Sequence, residues 1–514
     1  MTDIALADLP VAVIGSGPVG LAAAAQLVRR GIRPLVFEVG SSVAAAVAEW
    51  GHIGLFSPWK YNIEVAACGL LAPTGWQEPD GEHLPTGDEL IRDYLNPLAE
   101  TVELRESILT DTRVVAVSRV GLDRTGTAQR ESTPFLVRTQ NSDGTTADFQ
   151  VRAVVDASGT WGSPNPIGQS GLAAPGEVEA RRSGFITSPL PDVTGRDREQ
   201  FAGRRTLVVG GGHSAANTLM ALAKLRAEVP GTRIGWVLRR ADPASVYGGE
   251  DQDGLPARGA LGARLRRLVE DGAIDVHAST RITGFATDGG GTVTAETGGE
   301  PVTLHADRVV PATGFRPDLG FLREIRLDLD PVVEAPQQLG PLIDPEYHSC
   351  GTVSPHGARV LGHPEPNFYI VGMKSYGRAP TFLMYTGYEQ VRSVVAAIAG
   401  DLEAADRVEL VLPETGVCST DIGSSCDAPS GKPGFVDLPA AGAPDAAGAP
   451  DAAGAPDLAG AAGAAGTPGS PGAADTVDVA GAPEAGGCCG SAEPVVIGIP
   501  TGTEHGRSGE SRNG

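Results

Sequence analysis

The feature that most constrains this chain is an opening it uses twice: an apolar strand, a glycine-rich turn and a helix. The first copy reads Val11-Ala-Val-Ile14, then Gly15-Ser16-Gly17-Pro18-Val19-Gly20, then a helical stretch from Leu21 to Arg30 closed by Gly31. A second apolar run, Pro34-Leu-Val-Phe37, ends on Glu38. Each glycine has its own task in such a unit. Gly15 makes the tight turn, Gly17 lets backbone approach a pyrophosphate, and Gly20 lets the helix pack on the strand. The helix start, with Ser16, Pro18 and Val19 around it, offers unpaired N–H groups and the positive end of the helix dipole to phosphate. Glu38 follows Gly20 by 18 residues, where a carboxylate accepts hydrogen bonds from ribose hydroxyls.

The second copy is Arg205-Thr-Leu-Val-Val209, then Gly210-Gly-Gly212-His213-Ser214-Ala215, then a helix through Leu225. Alanine takes the third glycine position, which the pattern allows. Its next strand, Arg233-Ile-Gly-Trp-Val-Leu238, ends on Arg239 and Arg240 instead of an acid. Guanidinium grips a 2′-phosphate bidentately, and a carboxylate there would repel it. NADPH is therefore expected over NADH; as plain surface charges the two arginines would draw no such distinction. Two nucleotide sites in one chain imply FAD at the first and NADPH at the second.

Composition separates a folded part from a tail. The chain has 514 residues, 70 of them glycine and 40 proline, about a fifth where roughly 12% is usual. Much of the excess lies after Pro413. Gly442-Ala-Pro-Asp-Ala-Ala repeats with period six from Gly442 and Gly448, then once as Gly454-Ala-Pro-Asp-Leu-Ala, inside a run from Pro439 to Gly487 that is nearly all Ala, Gly, Pro and Asp. Such a run buries too little apolar surface to offset its ordering entropy, so residues 412–514 are expected to be disordered. Net charge is −23, with net −7 from Lys432 onward and −16 before it. That balance argues against nucleic-acid binding, which needs a basic face. No basic, apolar leader begins the chain and no stretch of ~18 apolar residues spans a membrane. With six scattered cysteines, a reducing cytoplasm is the expected compartment. Before the tail, strand-like runs alternate with helical ones, which predicts an α/β fold with parallel sheets.

Taken together, these segments resemble the flavoproteins with two dinucleotide-binding domains, a superfamily that includes flavin-containing monooxygenases and thioredoxin-reductase-like enzymes. Val154-Val-Asp-Ala-Ser-Gly159 and Val309-Val-Pro-Ala-Thr-Gly314 look like that group's strand ends, where chain crosses between domains and glycine approaches cofactor. Pro366-Asn-Phe-Tyr-Ile-Val-Gly372 looks like its last flavin-domain strand, followed by Arg378-Ala-Pro-Thr381 and a helix from Phe382 to Ile398. The resemblance implies two Rossmann-like, three-layer domains: an FAD domain from residues 1–200 and 306–411, with the NADPH domain, 201–305, inserted. It places a helix N-terminus near Thr381 at the flavin edge and brings Trp50 to Asn62 towards the flavin. Many relatives carry an Asp after the last strand's glycine; here Met373 and Lys374 follow Gly372. Lys60 and Lys374 are two of only four lysines against 36 arginines, and with Asn62 and Thr381 they are the candidates for chemistry.

The cysteines narrow the reaction. Neither C-x-x-C nor C-x4-C occurs, so electrons are expected to leave a flavin for oxygen or a small acceptor instead of a disulfide. This favours a monooxygenase acting on a small soft or nucleophilic substrate. The F-x-G-x-x-x-H linker signature of such enzymes is absent; the linker reads Phe185-Ile-Thr-Ser-Pro-Leu-Pro. A metalloid or quinone reductase and a flavin-binding redox sensor remain as alternatives. The block from Val371 to Met384, with Leu412-Pro-Glu-Thr-Gly-Val-Cys418, resembles flavoproteins encoded in bacterial arsenic-resistance gene clusters. Cys418, Cys426 and the vicinal Cys488 and Cys489 then offer thiolates to a thiophilic ion, or have no specific role.

Overall fold

The structure, a computed structural model, describes residues 5–247, 256–286, 291–344, 355–379 and 382–410. All of them fall within one compact unit, Met1–Ser424. Thr381 and the tail cysteines Cys418, Cys426, Cys488 and Cys489, like the expected disorder of 412–514, lie outside the described residues.

The first apolar runs become β1 (Val11–Ile14) and β2 (Pro34–Phe37), joined through the helix Pro18–Arg29. Alanines Ala22 to Ala25 and Leu21 and Leu27 are buried along that helix, so nearly its whole circumference is covered. Burial on both faces is what a parallel sheet wrapped by helices requires, and it explains why these strands read as unbroken apolar runs. Strands β3 (Ile108–Leu109), β4 (Thr112–Arg119), β5 (Phe135–Asn141), β6 (Thr146–Val151) and β7 (Ala153–Asp156) follow. Next come β8 (Arg205–Val209), β9 (Arg233–Val237), β10 (Asp275–His277), β11 (Thr280–Ala286), β12 (Thr292–Thr297), β13 (Glu300–His305), β14 (Arg308–Pro311) and β15 (Phe368–Ile370).

Four sheets result. A five-stranded parallel sheet has the order β15-β7-β1-β2-β3, and a four-stranded parallel sheet has the order β10-β9-β8-β14. Each is accompanied by an antiparallel three-stranded sheet, β4-β5-β6 and β11-β12-β13 respectively in chain position. The five-stranded sheet takes strands from both sides of the chain that forms the four-stranded one. This is the mixed α/β architecture of the two-nucleotide flavoproteins, with the central strand of each parallel sheet feeding a glycine turn.

Helix limits differ from the sequence expectation by a few residues. The first begins at Pro18, whose fixed φ suits a helix start, and the second spans His213–Glu228. The last long helix is Met384–Ile398, so it starts two residues after Phe382. One non-local cluster ties the sheets' surroundings together. Glu365, fully buried, accepts from Arg119 at 2.8 Å and from Arg130 at 2.8 Å, while Arg119 stacks on Phe135.

Candidate functional site

Both glycine turns are shaped by what a side chain would strike. Gly15 has φ +97°, in the region that favours glycine, and a Cβ there would lie 2.8 Å from the Ala157 carbonyl oxygen. A Cβ on Gly20 would lie 2.0 Å from the Gly15 carbonyl oxygen. Gly17 is different: nothing of the protein lies within 4 Å of the position its Cβ would take. It is also the N-cap of the helix Pro18–Arg29, so open space lies where unpaired helix N–H groups begin. The second turn repeats the mould. Gly210 has φ +137° and would place a Cβ 1.9 Å from the Ala312 carbonyl oxygen, whereas Gly212, again the helix N-cap, opens on empty space. Ala215 is fully buried and takes the third position with its methyl accommodated.

Glu38 sits beside the first turn, 6% exposed. Its carboxylate accepts from the Ser16 N–H at 2.9 Å, the Ser16 hydroxyl at 2.7 Å and the Gly40 N–H at 2.9 Å. The acid is thus fixed at the end of β2 against the turn. Arg239 and Arg240 are both exposed just beyond β9. The backbone around them is held by the chain after β10: Ser279 N–H donates to the Arg240 carbonyl at 2.9 Å and Thr280 N–H to that of Leu238 at 2.8 Å. These donor-rich open turns, each with its strand-end side chain, fit a dinucleotide apiece. The acidic end suits ribose hydroxyls and the basic end an added phosphate.

The strand ends that resemble interdomain crossings lie side by side. Gly159 (φ +67°) follows β7 and Gly314 (φ +79°) follows β14. Asn165 laces the two segments: its N–H donates to Gly314 and its side-chain amide to Thr313, while its carbonyl accepts from the Thr313 hydroxyl at 2.8 Å. Trp161 adds a second tie, donating to Glu49 at 2.8 Å and meeting Phe315 with ring centroids 5.0 Å apart. None of this lacing is visible in a motif; it depends on two segments about 150 residues apart.

The residues singled out for chemistry have other partners. Lys60 is 43% exposed and its ammonium lies 2.8 Å from Glu82, which raises its pKa by hydrogen bonding. Segment 81–83 pairs with the backbone of Trp59 and Lys60, and that pairing delivers Glu82. Asn62 is buried and spends its amide on its own loop, donating to the Ser57 and Pro58 carbonyls and accepting from the Ser57 hydroxyl. Lys374 is fully buried and bonded to Asp156 at 2.7 Å and to the Ser158 hydroxyl at 3.1 Å. Gly372 (φ +69°) packs against Val19, and its N–H donates to Gln390 of the helix Met384–Ile398 at 2.7 Å.

The structure does bring two predicted segments together. Tyr61 meets Tyr385, in the first turn of that last helix, with centroids 5.5 Å apart, and the Tyr388 hydroxyl donates to the Asn62 carbonyl at 2.8 Å. Phe56 likewise reaches the second turn, 5.2 Å from the ring of His213. Cys68 is the one cysteine among the described residues; it is free, and burial pushes its thiol pKa up. Among the described residues no group of His, Cys, Asp and Glu is arranged to hold a metal ion, and no helix is long and apolar enough to cross a membrane.

Comparison with known proteins bears on the family and the fold. Residues 12–350 match the family described as pyridine nucleotide-disulphide oxidoreductase. A ferredoxin–NADP reductase of Ignicoccus hospitalis is 26% identical over 323 residues, covering 62% of this chain and 81% of the relative. In fold, the chain is similar to bacillithiol disulfide reductase from Bacillus cereus, with TM-score 0.56 and 20% identity over 76% of this chain and 99% of the other. Ornithine hydroxylase from Pseudomonas aeruginosa superimposes with TM-score 0.50 and 15% identity over 78% of this chain and 100% of its own.

Proposed function

The chain belongs to the pyridine nucleotide-disulphide oxidoreductase family, and from that premise we propose that FAD binds at the first glycine turn and NADPH at the second. It is an NAD(P)-dependent flavoprotein oxidoreductase; the proposal assigns a place to each cofactor and an exit to the electrons. In this reading both ends of the chain carry the FAD half and the segment between them the NADPH half; the expected boundary at 305 moves past β14, because Arg308–Pro311 pairs with β8 in the four-stranded sheet. Bound FAD supplies two-electron chemistry between a reduced nicotinamide and an acceptor. The residues of the chain bind and orient. Backbone N–H groups at Gly17 and Gly212 receive the two pyrophosphates, Glu38 a ribose, and Arg239 with Arg240 the 2′-phosphate. Gly159, Gly314 and Gly372 are the close-approach points.

The acceptor is read as oxygen, with a small soft or nucleophilic molecule as the substrate oxidised. The observation that carries this is cysteine spacing: neither C-x-x-C nor C-x4-C occurs in the chain, and Cys68, the one cysteine among the described residues, is free with burial pushing its thiol pKa up, which suits disulfide exchange poorly. The name of the Ignicoccus hospitalis relative, a reductase, favours a second reading, direct reduction of a metalloid or quinone. Because segments 371–384 and 412–418 resemble arsenic-cluster flavoproteins, a trivalent arsenical is the first soft substrate to try, with the tail thiols as its capture site. The test is NADPH oxidation with and without oxygen. Oxygen-dependent turnover with oxygen transfer to an arsenical or thioether is expected. Turnover that needs only an added quinone or metalloid under nitrogen would replace the oxygenase with the reductase. Negligible turnover across a broad acceptor screen would leave a redox sensor.

A further inference from the structure

The buried pair Lys374–Asp156 has no place in the binding scheme above, yet it stands directly behind the first glycine turn. Asp156 ends β7 in register with Ile14, the last residue of β1 before Gly15. The Ala157 N–H donates to the Ile14 carbonyl at 2.9 Å, and the Val371 N–H after β15 donates to the Asp156 carbonyl at 2.9 Å. Three neighbouring strand ends therefore meet at Asp156. Its other oxygen accepts from the Ser158 N–H at 3.1 Å and the Ser158 hydroxyl at 2.6 Å. The backbone so fixed is the surface on which the turn rests, because a Cβ on Gly15 would meet the Ala157 oxygen at 2.8 Å and the Ser158 Cα at 3.1 Å. The Lys374 ammonium closes the network. It bonds to Asp156 and Ser158 and lies 4.4 Å from the centre of the Phe321 ring, with no exposure of either charged side chain.

We propose that Lys374 is a positioning residue for FAD: it neutralises a carboxylate lodged behind the diphosphate-binding turn and holds Ser158 against Gly15. The inference rests on the assignment of FAD to that turn. Its physical content is a sign. A carboxylate left unpaired in a buried place keeps its full electrostatic effect on a nearby diphosphate, since little water screens it. An ammonium left unpaired in the same place attracts the diphosphate. A packing role has no such asymmetry.

The experiment is a double-variant cycle on the full-length protein, stripped of flavin and titrated with FAD by quenching of flavin fluorescence, with urea unfolding of each flavin-free variant alongside. Lys374→Met is expected to raise the Kd for FAD roughly tenfold or more, Asp156→Asn to leave it unchanged or lower it, and the combination to return it to within about threefold of the original. Equal weakening by both single changes, or a combined variant as weak as Lys374→Met, overturns the electrostatic role; so does an unchanged Kd in Lys374→Met. Should Lys374→Met fail to fold, Asp156→Asn and the combined variant decide by the same criteria. Gly17→Ala is the control. If it retains FAD at full affinity, the fault lies in the assignment of the turn and not in the pair.

Discussion

Two alanine substitutions three residues apart are expected to fail in opposite ways. At Gly20 the new methyl would lie 2.0 Å from the Gly15 carbonyl oxygen. Backbone on both sides leaves no flexible side chain to yield, so the turn must move by more than about 1 Å to restore ordinary contact. That displacement breaks the 2.8 Å bond from the Gly15 N–H to the Phe37 carbonyl. One hydrogen bond at about 1 kcal/mol and overpacking at about 1–3 kcal/mol make a loss of about 2–4 kcal/mol in the flavin-free protein. At Gly17 the methyl meets nothing within 4 Å, and its φ of −72° is open to any residue. Flavin-free stability should stay within about 1 kcal/mol of the original. The methyl fills the approach to the helix N–H groups, however, and a hundredfold weaker Kd is expected, about 2.7 kcal/mol. Urea unfolding followed by tryptophan fluorescence, with and without FAD at ~100 times the original Kd, reads both numbers. FAD should add about 2.7 kcal/mol to the original protein and under 1 kcal/mol to Gly17→Ala. A Gly17→Ala protein that keeps the full FAD increment, or a Gly20→Ala protein as stable as the original without flavin, would refute the reasoning.

Three other outcomes follow from the site and its supports. Arg239→Ala with Arg240→Ala should raise the NADPH KM by roughly tenfold to a hundredfold and leave the NADH KM nearly unchanged, the loss of charge-assisted bonds to one phosphate; steady-state kinetics with both cofactors checks it, and equal discrimination sinks it. Glu365→Ala leaves Arg119 and Arg130 buried without their shared carboxylate and should cost about 3–5 kcal/mol in urea unfolding; a loss under 1 kcal/mol would mean that the surrounding carbonyls hold the arginines unaided. Burial pushes His363 down to about 4 from 6.5. The unfolded chain then takes up a proton that the folded chain refuses, so stability is lost as pH falls from about 6.5 to 4, by at most about 3 kcal/mol. His363→Phe should lose that part of the slope, and an identical pH profile in both proteins would remove the assignment.

What the sequence disclosed and what it hid divide along the distance over which each feature is decided. The glycine turns are local requirements: φ at Gly15 and Gly210 and the close contact at Gly20 arise within or beside one strand–turn–helix unit, so residue type and spacing suffice to find them. The parallel pairing of β1 with β2 is legible for the same reason, since two unbroken apolar runs joined by a helix admit few other arrangements. Partner choice is a different matter. Lys374 finds Asp156 across 218 residues, and nothing near either residue announces the other, though an acid closing the apolar run Val154-Val155-Asp156 is a signal that was there to read. Lys60 finds Glu82 because two loop segments pair, and Asn62 turns inward because its own loop offers carbonyls. The start of the last helix shows a smaller difference: the sequence suggests Phe382, yet the helical backbone begins at Met384.

The lacing at Asn165 has a consequence for the history of the chain as much as for its mechanics. Pro164 and Phe315 form an antiparallel bridge, and the Arg316 N–H donates to the Ser163 carbonyl at 3.0 Å. The chain that forms the whole four-stranded sheet thus leaves and re-enters between two segments that are hydrogen-bonded side by side. A segment whose ends meet in this way is a cassette. It can be lifted out and its stump closed by a short loop, or exchanged for the corresponding segment of a relative, without cutting any strand of the five-stranded sheet. With the cofactors placed as proposed above, a lineage built on this plan could change which reduced nucleotide it consumes by trading the cassette, while the five-stranded sheet and its glycine turn are inherited untouched.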